Sequence, residues 1–335
     1  MTSAASTVTG ALRVNPIATK VGVVAIGRNE GPRLKLCLES LLRQSAFVVY
    51  ADSGSTDGSA DLALAAGVEV VVLPDDGRLS AAAGRAAGFR RLRSLHPEIE
   101  LVQFVDGDCI LEAGWLATAV SYLGARPRAA VVCGQRREAF PERSLYNALC
   151  DAEWNTPIGI AEACGGDALF RVEAYEQAGG FRAELLAGEE PELCGRLRGL
   201  GWEVWRIDAN MTEHDARMLH FGQWWRRSRR GGYGYAQVWI ATRTPGPPLY
   251  ARPLASAVEW ALMLPLAVVA VALIAGPIIF AAIPLAYALQ TARIYRRFRT
   301  TRSRPFTQTA MTMLAKIPET LGALAYLFRA ARPAA

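Results

Sequence analysis

No G-x-G-x-x-G follows the first apolar run, and no G-x-x-x-x-G-K-[ST] occurs in the 335 residues. A dinucleotide loop and a P-loop are therefore absent, and any phosphate must be held by other means. Cysteine is scattered: the six lie at 37, 109, 133, 150, 164 and 194, none as C-x-x-C and with no His-x-x-x-His after them. That spacing excludes a zinc site, and a chain of this length needs no disulfide framework, so reduced, mostly buried thiols are expected. The first 20 residues hold only Arg13 and Lys20 as charges and no apolar h-region. No signal peptide is read there, and the body is expected to stay in the cytosol. Glycine (30) and proline (18) are ordinary, which excludes collagen-like and low-complexity chains, and 51% hydrophobic content excludes disorder. No internal repeat is visible.

Acid is scarce in one place only. Residues 1–250 carry a net charge of −2 and residues 251–335 carry +8. The basic excess flanks an apolar run rather than the globular part, which points to an anionic membrane surface and away from nucleic acid. Trp260–Ala292 contains no charged residue, against the roughly 20 residues that one helical crossing takes. Gly276-Pro277 divides the run, since proline does not continue a helix undisturbed. Residues 254–292 are thus expected to form a transmembrane helical hairpin. Arg252 precedes it, and Arg293, Arg296, Arg297, Arg299, Arg302 and Arg304 follow. Basic flanks on both sides place both ends in the cytosol, at the inner membrane. Phe306–Phe328, interrupted by Lys316, Pro318 and Glu319, reads as a helix lying on the membrane surface.

The body alternates apolar runs with helical periodicity. Val21–Ile26, Phe47–Tyr50, Val68–Leu73 and Leu101–Val105 read as strands, and Pro32 and Ser80 open helices between them. Further on, Ala129–Cys133 and Trp202–Ile207 read as strands, and Ser144–Trp154, Val172–Ala178, Glu189–Leu200 and Ala216–Thr242 as helices. Such alternation predicts an α/β fold with a mainly parallel sheet, whose ligands bind beyond the carboxyl ends of the strands. Three polar clusters stand at those ends: Arg28–Glu30, Asp52–Asp57 and Asp106–Asp108. Asp106-Gly107-Asp108 offers two carboxylates on one turn, a pattern suited to a hard cation such as Mg²⁺ or Mn²⁺ shared with substrate phosphates. Asp52 is placed to accept hydrogen bonds from a base or ribose, while Asp57 reads as a helix cap. With no phosphate loop present, Arg85 and Arg226 are the candidates for anion binding.

Taken in order, these residues resemble the family 2 glycosyltransferases of GT-A fold over residues 20–243. The resemblance rests on Asn29-Glu30, on Asp52, Gly54, Ser55, Asp57 and Gly58, and on Arg85-Ala86-Ala87-Gly88. It continues with the D-x-D Asp106/Asp108, Gly165–Arg171, Gly179-Gly180-Phe181, the pair Glu189-Glu190, His214-Asp215, and Gln223-x-x-Arg226. It implies an inverting, metal-dependent transfer of sugar from a nucleoside diphosphate sugar. Ile26, Arg28, Glu30, Asp52, Ser55, Arg85, Asp106 and Arg226 are then expected at the nucleotide sugar. Asp106 and Asp108 fall to ribose and to Mn²⁺ or Mg²⁺, with His214 completing the metal shell. Glu190 stands where the family has its catalytic base, with Glu189 as the alternative. Gln223-Trp224-Trp225-Arg226-Arg227 lacks the final Trp of the polymerising members, so a non-processive enzyme is expected, acting on a lipid-linked or membrane-proximal acceptor in envelope or extracellular polysaccharide synthesis. The expected organisation is a flexible segment 1–19, the GT-A domain 20–243, a linker 244–253, the hairpin 254–292 and a basic, amphipathic tail 293–335. Two other classes fit parts of the pattern: a nucleotidyltransferase of similar fold, and a membrane-anchored nucleotide-sugar-binding protein without activity.

Overall fold

The computed structural model describes residues 20–74, 79–243, 248–300, 302 and 304–330. The expected flexible segment 1–19 and parts of the linker and tail lie outside these residues. Strand β1 (Val21–Gly27) leads through helix α1 (Pro32–Leu42) to β2 (Phe47–Asp52), and through α2 (Ser59–Ala65) to β3 (Glu69–Val72). Helix α3 (Ala81–Leu95) returns to β4 (Leu101–Asp106) and the short β5 (Cys109–Leu111). Then come α4 (Trp115–Gly124), β6 (Ala129–Glu138), α5 (Leu145–Trp154), β7 (Gly159–Ile160), β8 (Ala168–Arg171), α6 (Val172–Gln177), α7 (Glu189–Gly199) and β9 (Glu203–His214).

Among the described residues these strands form one nine-stranded sheet in the order β3-β2-β1-β4-β8-β6-β9-β5, with β7 on β9. Strands β1 to β4 pair parallel; β8 is antiparallel to both β4 and β6, and β9 runs parallel to β6. The carboxyl ends of β1, β2, β4, β6 and β9 therefore meet on one edge, as expected of a mainly parallel sheet. β1 is buried along its apolar run because helices cover both faces. Small residues let α3 sit close: a Cβ on Gly88 would lie 2.4 Å from Val24 Cγ1, and one on Gly84 3.3 Å from Ile26 Cγ2. Ser80 caps α3, its hydroxyl accepting from the Ala83 amide at 3.1 Å.

Two strands run longer than their apolar cores suggest. β6 and β9 extend to Glu138 and His214, carrying polar residues past the core and into the site. The long helix starts later than expected: Ala216–His220 is loop, and α8 spans Phe221–Thr242 with His220 as its cap.

Beyond the sheet, α9 (Ala251–Val258), a π-turn (Glu259–Met263) and α10 (Leu264–Ala275) run on as one helix. Its stretch Ala251–Ile274, with mean hydropathy 2.3, is long and apolar enough to cross a membrane, and no other described helix is. At Gly276 (φ 96°) the chain turns through Pro277–Ala281 into α11 (Ala282–Phe298). The return is antiparallel: the Tyr287 hydroxyl donates to the Trp260 carbonyl, and their rings lie 5.6 Å apart. The expected hairpin therefore has its turn at Gly276-Pro277, with the longer apolar arm before it. Sixteen residues lie between Gly276 and Arg293 on the returning arm, against the roughly 20 that one helical crossing takes.

Helix α12 (Pro305–Ala330) lies along α8. A Cβ on Gly232 would stand 1.9 Å from the Glu319 carbonyl oxygen, and one on Gly322 1.9 Å from that of Arg229. The face of α12 turned away from α8 exposes Phe306, Ile317, Leu321, Leu327 and Phe328.

Candidate active site

The strand ends enclose a cavity of about 1210 Å³. On its inner side, register does the positioning. Ile26 is level with Asp106, Gly27 with Asp52, and Cys109 and Glu138 with His214. The turn after β4 is tight: the Gly107 amide donates to the Ile26 carbonyl at 2.7 Å.

Arg85, on α3, is buried at the centre. Its guanidinium donates to Asp106 Oδ1 and Glu189 Oε1, both at 2.7 Å, and reaches Glu190 Oε1 at 3.7 Å. Arg136, on β6, takes the other oxygen of Asp106 at 3.1 Å and stands 3.6 Å from Asp167. Asp167 in turn accepts from the Asp106 amide (2.9 Å) and the Thr212 hydroxyl (2.8 Å). Burial would raise the Asp106 pKa, but the two guanidiniums dominate and hold it well below the carboxylate range. Gly166 closes over this cluster. A Cβ there would lie 2.7 Å from an Arg85 nitrogen and 2.9 Å from Asp106 Oδ2.

Asp108 points the other way. Its Oδ2 meets His214 Nε2 at 3.0 Å and Arg33 at 3.6 Å. His214 lies edge-on to Trp154, 4.6 Å between centroids, and its Nδ1 is buried with no hydrogen-bond partner among the described residues. Two trios have ligand atoms close enough to share one ion: Asp108, Cys109 and His214, and Asp106, Cys109 and Asp167. Among the described residues neither trio contains both Asp106 and Asp108. Burial pushes the Cys109 thiol well up, leaving it a poor ligand for a hard cation. Asp108 and His214, a carboxylate and an imidazole 3.0 Å apart, are groups that would suit a divalent cation.

Helix α7 begins at Gly188 in the left-handed conformation (φ 81°), which sets both glutamates in its first turn. Both line the cavity, but they differ: Glu189 is the more buried and bonds Arg85 at 2.7 Å, whereas Glu190 stands 3.7 Å from it, and burial with the neighbouring Glu189 charge raises the Glu190 pKa to about 7. Glu30 is likewise raised to about 7, by burial first and Asp108 second, although Arg33 pairs with it at 2.6 Å.

The remaining expected residues divide. Ile26, Arg28 and Glu30 line the cavity. Asp52 and Ser55 do not: one Asp52 oxygen accepts from the Ser55 amide (2.7 Å), the other from the Ser55 hydroxyl (2.5 Å) and the Tyr50 hydroxyl (3.1 Å). Asp52 thus holds its own turn, and Ser53 is the residue of that loop which faces the cavity. Arg226 is corrected outright. It is exposed and outside the cavity, whose wall is built by Arg227, Ser228 and Arg230. Sequence reasoning missed Arg136, a single arginine on a strand with nothing local to mark it. It also missed the outer wall, formed by Phe298, Arg302 and the α12 residues Gln308, Met311, Thr312, Ala315 and Glu319.

Residues 23–179 match the family described as Glycosyl transferase family 2. The chain is 27% identical over 198 residues to the succinoglycan biosynthesis protein ExoA of Rhizobium meliloti (strain 1021), an alignment covering 54% of this chain and 58% of that protein. The chain thus spans less than two thirds of the curated relative. Among solved structures it is similar to the mannosyltransferase PcManGT from Pyrobaculum calidifontis in complex with GDP-Man and Mn²⁺. That likeness has a TM-score of 0.57 and 22% identity, covers 90% of this chain and 87% of that one, and is a likeness of fold. The chain is thus similar to the family 2 glycosyltransferases over residues 23–179, just under half of its length, and to a solved mannosyltransferase in fold.

Proposed function

We propose that this chain is an inverting, divalent-metal-dependent, non-processive glycosyltransferase. It moves a sugar from a nucleoside diphosphate sugar to a lipid-linked or membrane-proximal acceptor in polysaccharide or glycolipid synthesis, from the cytosolic face of the inner membrane. The observation that carries the reading is the division between two adjacent glutamates. Arg85 takes Glu189, and Glu190 is left facing the cavity with a pKa near 7, where a general base works best.

In this reading the nucleotide lies along Ile26–Arg28 and Ser53, with Asp106 near the ribose. Asp108 and His214 would hold Mn²⁺ or Mg²⁺, which when bound neutralises charge on the departing diphosphate. Glu190 takes the acceptor hydroxyl proton. The acceptor oxygen bonds to the anomeric carbon from the face opposite the diphosphate, and the bond to the diphosphate breaks, its electron pair leaving with the nucleotide. One in-line displacement inverts the anomeric centre. Arg85 holds Asp106 ionised and fixes Glu189 by a hydrogen bond, so that Glu190 is the carboxylate with a proton to exchange.

The test is a thermal-shift screen of nucleoside diphosphate sugars with and without Mn²⁺, followed by product analysis. Binding to the folded state raises its melting temperature by mass action. Metal-dependent stabilisation by a sugar nucleotide, followed by sugar transfer, supports the proposal. Formation of sugar nucleotide from a nucleoside triphosphate would assign a nucleotidyltransferase instead, and binding without turnover an inactive binding protein.

A further inference from the structure

The cavity has two poles of opposite character. At the strand ends Asp106, Asp167, Glu189 and Glu190 gather around Arg85 and Arg136, with Asp108 beside His214. At the outer wall the charges are basic. Arg227 is neutralised by a two-pronged contact with Glu153 (2.7 and 3.1 Å), and Glu319 by Lys316 (2.9 Å). Arg230, on α8, and Arg302, just past α11, line the same wall with no carboxylate partner among the described residues. Here a surplus of two cations faces into a cavity. Beside them stand Phe298, Met311 and Ala315, and α11 continues toward Leu285 and Leu289, both exposed. The volume, about 1210 Å³, exceeds the roughly 300–1,000 Å³ of a site for one small ligand.

An uncompensated pair of guanidiniums selects phosphate, which it meets with forked, charge-assisted hydrogen bonds. The adjoining apolar wall selects a hydrocarbon chain. We infer that Arg230 and Arg302 form the anion subsite of the acceptor, and that the acceptor carries a phosphate or diphosphate joined to an apolar tail. The tail leaves along Phe298 and the exposed side of α11, and the phosphate is the fixed point from which the acceptor hydroxyl reaches Glu190. This deepens the glycosyltransferase reading and rests on it for the role of Glu190, though not for the binding itself.

The experiment measures equilibrium binding to the full chain in detergent, using the intrinsic fluorescence of Trp154 and Trp224, which line the cavity. The probes are farnesyl phosphate, farnesol and glucose 1-phosphate. Farnesyl phosphate is expected to bind at least roughly tenfold more tightly than either of the others, about the contribution of one charged hydrogen bond. The double variant Arg230→Ala/Arg302→Ala should lose that preference, and Arg230→Lys/Arg302→Lys should keep part of it. Arg43→Ala/Arg198→Ala, which removes equal charge from exposed positions elsewhere, should leave it unchanged. Equal binding of farnesol would overturn the anion subsite, and equal binding of glucose 1-phosphate the amphiphilic acceptor. A preference surviving the alanine pair would overturn the assignment of these arginines. Donor binding is followed separately, as Mn²⁺-dependent stabilisation by a sugar nucleotide. Its absence alongside intact farnesyl phosphate binding would sink the transferase reading while leaving this subsite standing.

Discussion

Replacing Glu190 with glutamine should remove catalysis and, above neutral pH, make the protein more stable. Glu190 has an ordinary pKa near 4.5 in the unfolded chain and about 7 in the folded one, because burial and Glu189 disfavour its charge. A raised carboxylate pKa means that the folded state prefers the protonated group. The associated stability is fully present below pH 4.5 and is lost as pH rises through 7. A difference of that size corresponds to about 3 kcal/mol across the interval, at 1.36 kcal/mol per pH unit. Glutamine is neutral and of similar shape, so the variant is free of this loss. Comparing wild type with Glu190→Gln cancels the parallel contribution of Glu30, which is also raised to about 7. Melting temperatures measured from pH 5 to pH 8.5 should therefore diverge in favour of the variant as pH rises, by a few degrees at the alkaline end. Over the same range wild-type transfer should climb with an inflection near 7, and the variant should turn over about 10²–10⁴-fold more slowly with no such inflection. Donor affinity should be unchanged. A stability difference that stays flat with pH, or wild-type-like turnover by the variant, would refute the reasoning and move the base elsewhere.

Asp108→Asn should weaken Mn²⁺-dependent nucleotide binding at least roughly tenfold, as read by calorimetry, while leaving the fold intact by circular dichroism. Arg85→Met strips the cation from three buried carboxylates. It should destabilise by about 3–5 kcal/mol in denaturant titration, and in whatever fraction folds it should move the pH–activity inflection further up. Gly322→Val places atoms where the Arg229 carbonyl stands and should detach α12, seen as new proteolytic cleavage near residues 301–305 and lost transfer with donor hydrolysis retained. A reporter fused behind Ala335 should read as cytosolic in a membrane fraction that resists carbonate; an extracytoplasmic reading would mean an odd number of crossings.

The sheet was legible because strand and helix periods differ and because acids clustered where apolar runs stopped. Asp106, Asp108, Glu190 and His214 all line one cavity, Asp108 beside His214 and the other two around Arg85. What escaped was set by rotation and by distant packing. Neighbouring residues on a helix point about 100° apart. On α8 it is Arg227 that lines the cavity and its neighbour Arg226 that does not. Asp52 was correctly placed at a strand end, but its local partners Ser55 and Tyr50 absorb its oxygens, which spacing does not reveal. Arg136 and the α12 wall depend on contacts between segments far apart in sequence, for which no local pattern exists.

The helix that completes the cavity is made after the apolar segment that precedes it in the chain. Residues 20–243 hold every group assigned to donor and base, yet the wall facing them is made of Arg302 and α12, which follow the apolar hairpin. A nascent chain therefore owns its chemistry before it owns its acceptor pocket, and the pocket closes only after the anchor has been made. In the proposed reading, a chain whose apolar segment is misplaced would also misplace the acceptor wall that follows it, so location and acceptor use would fail together.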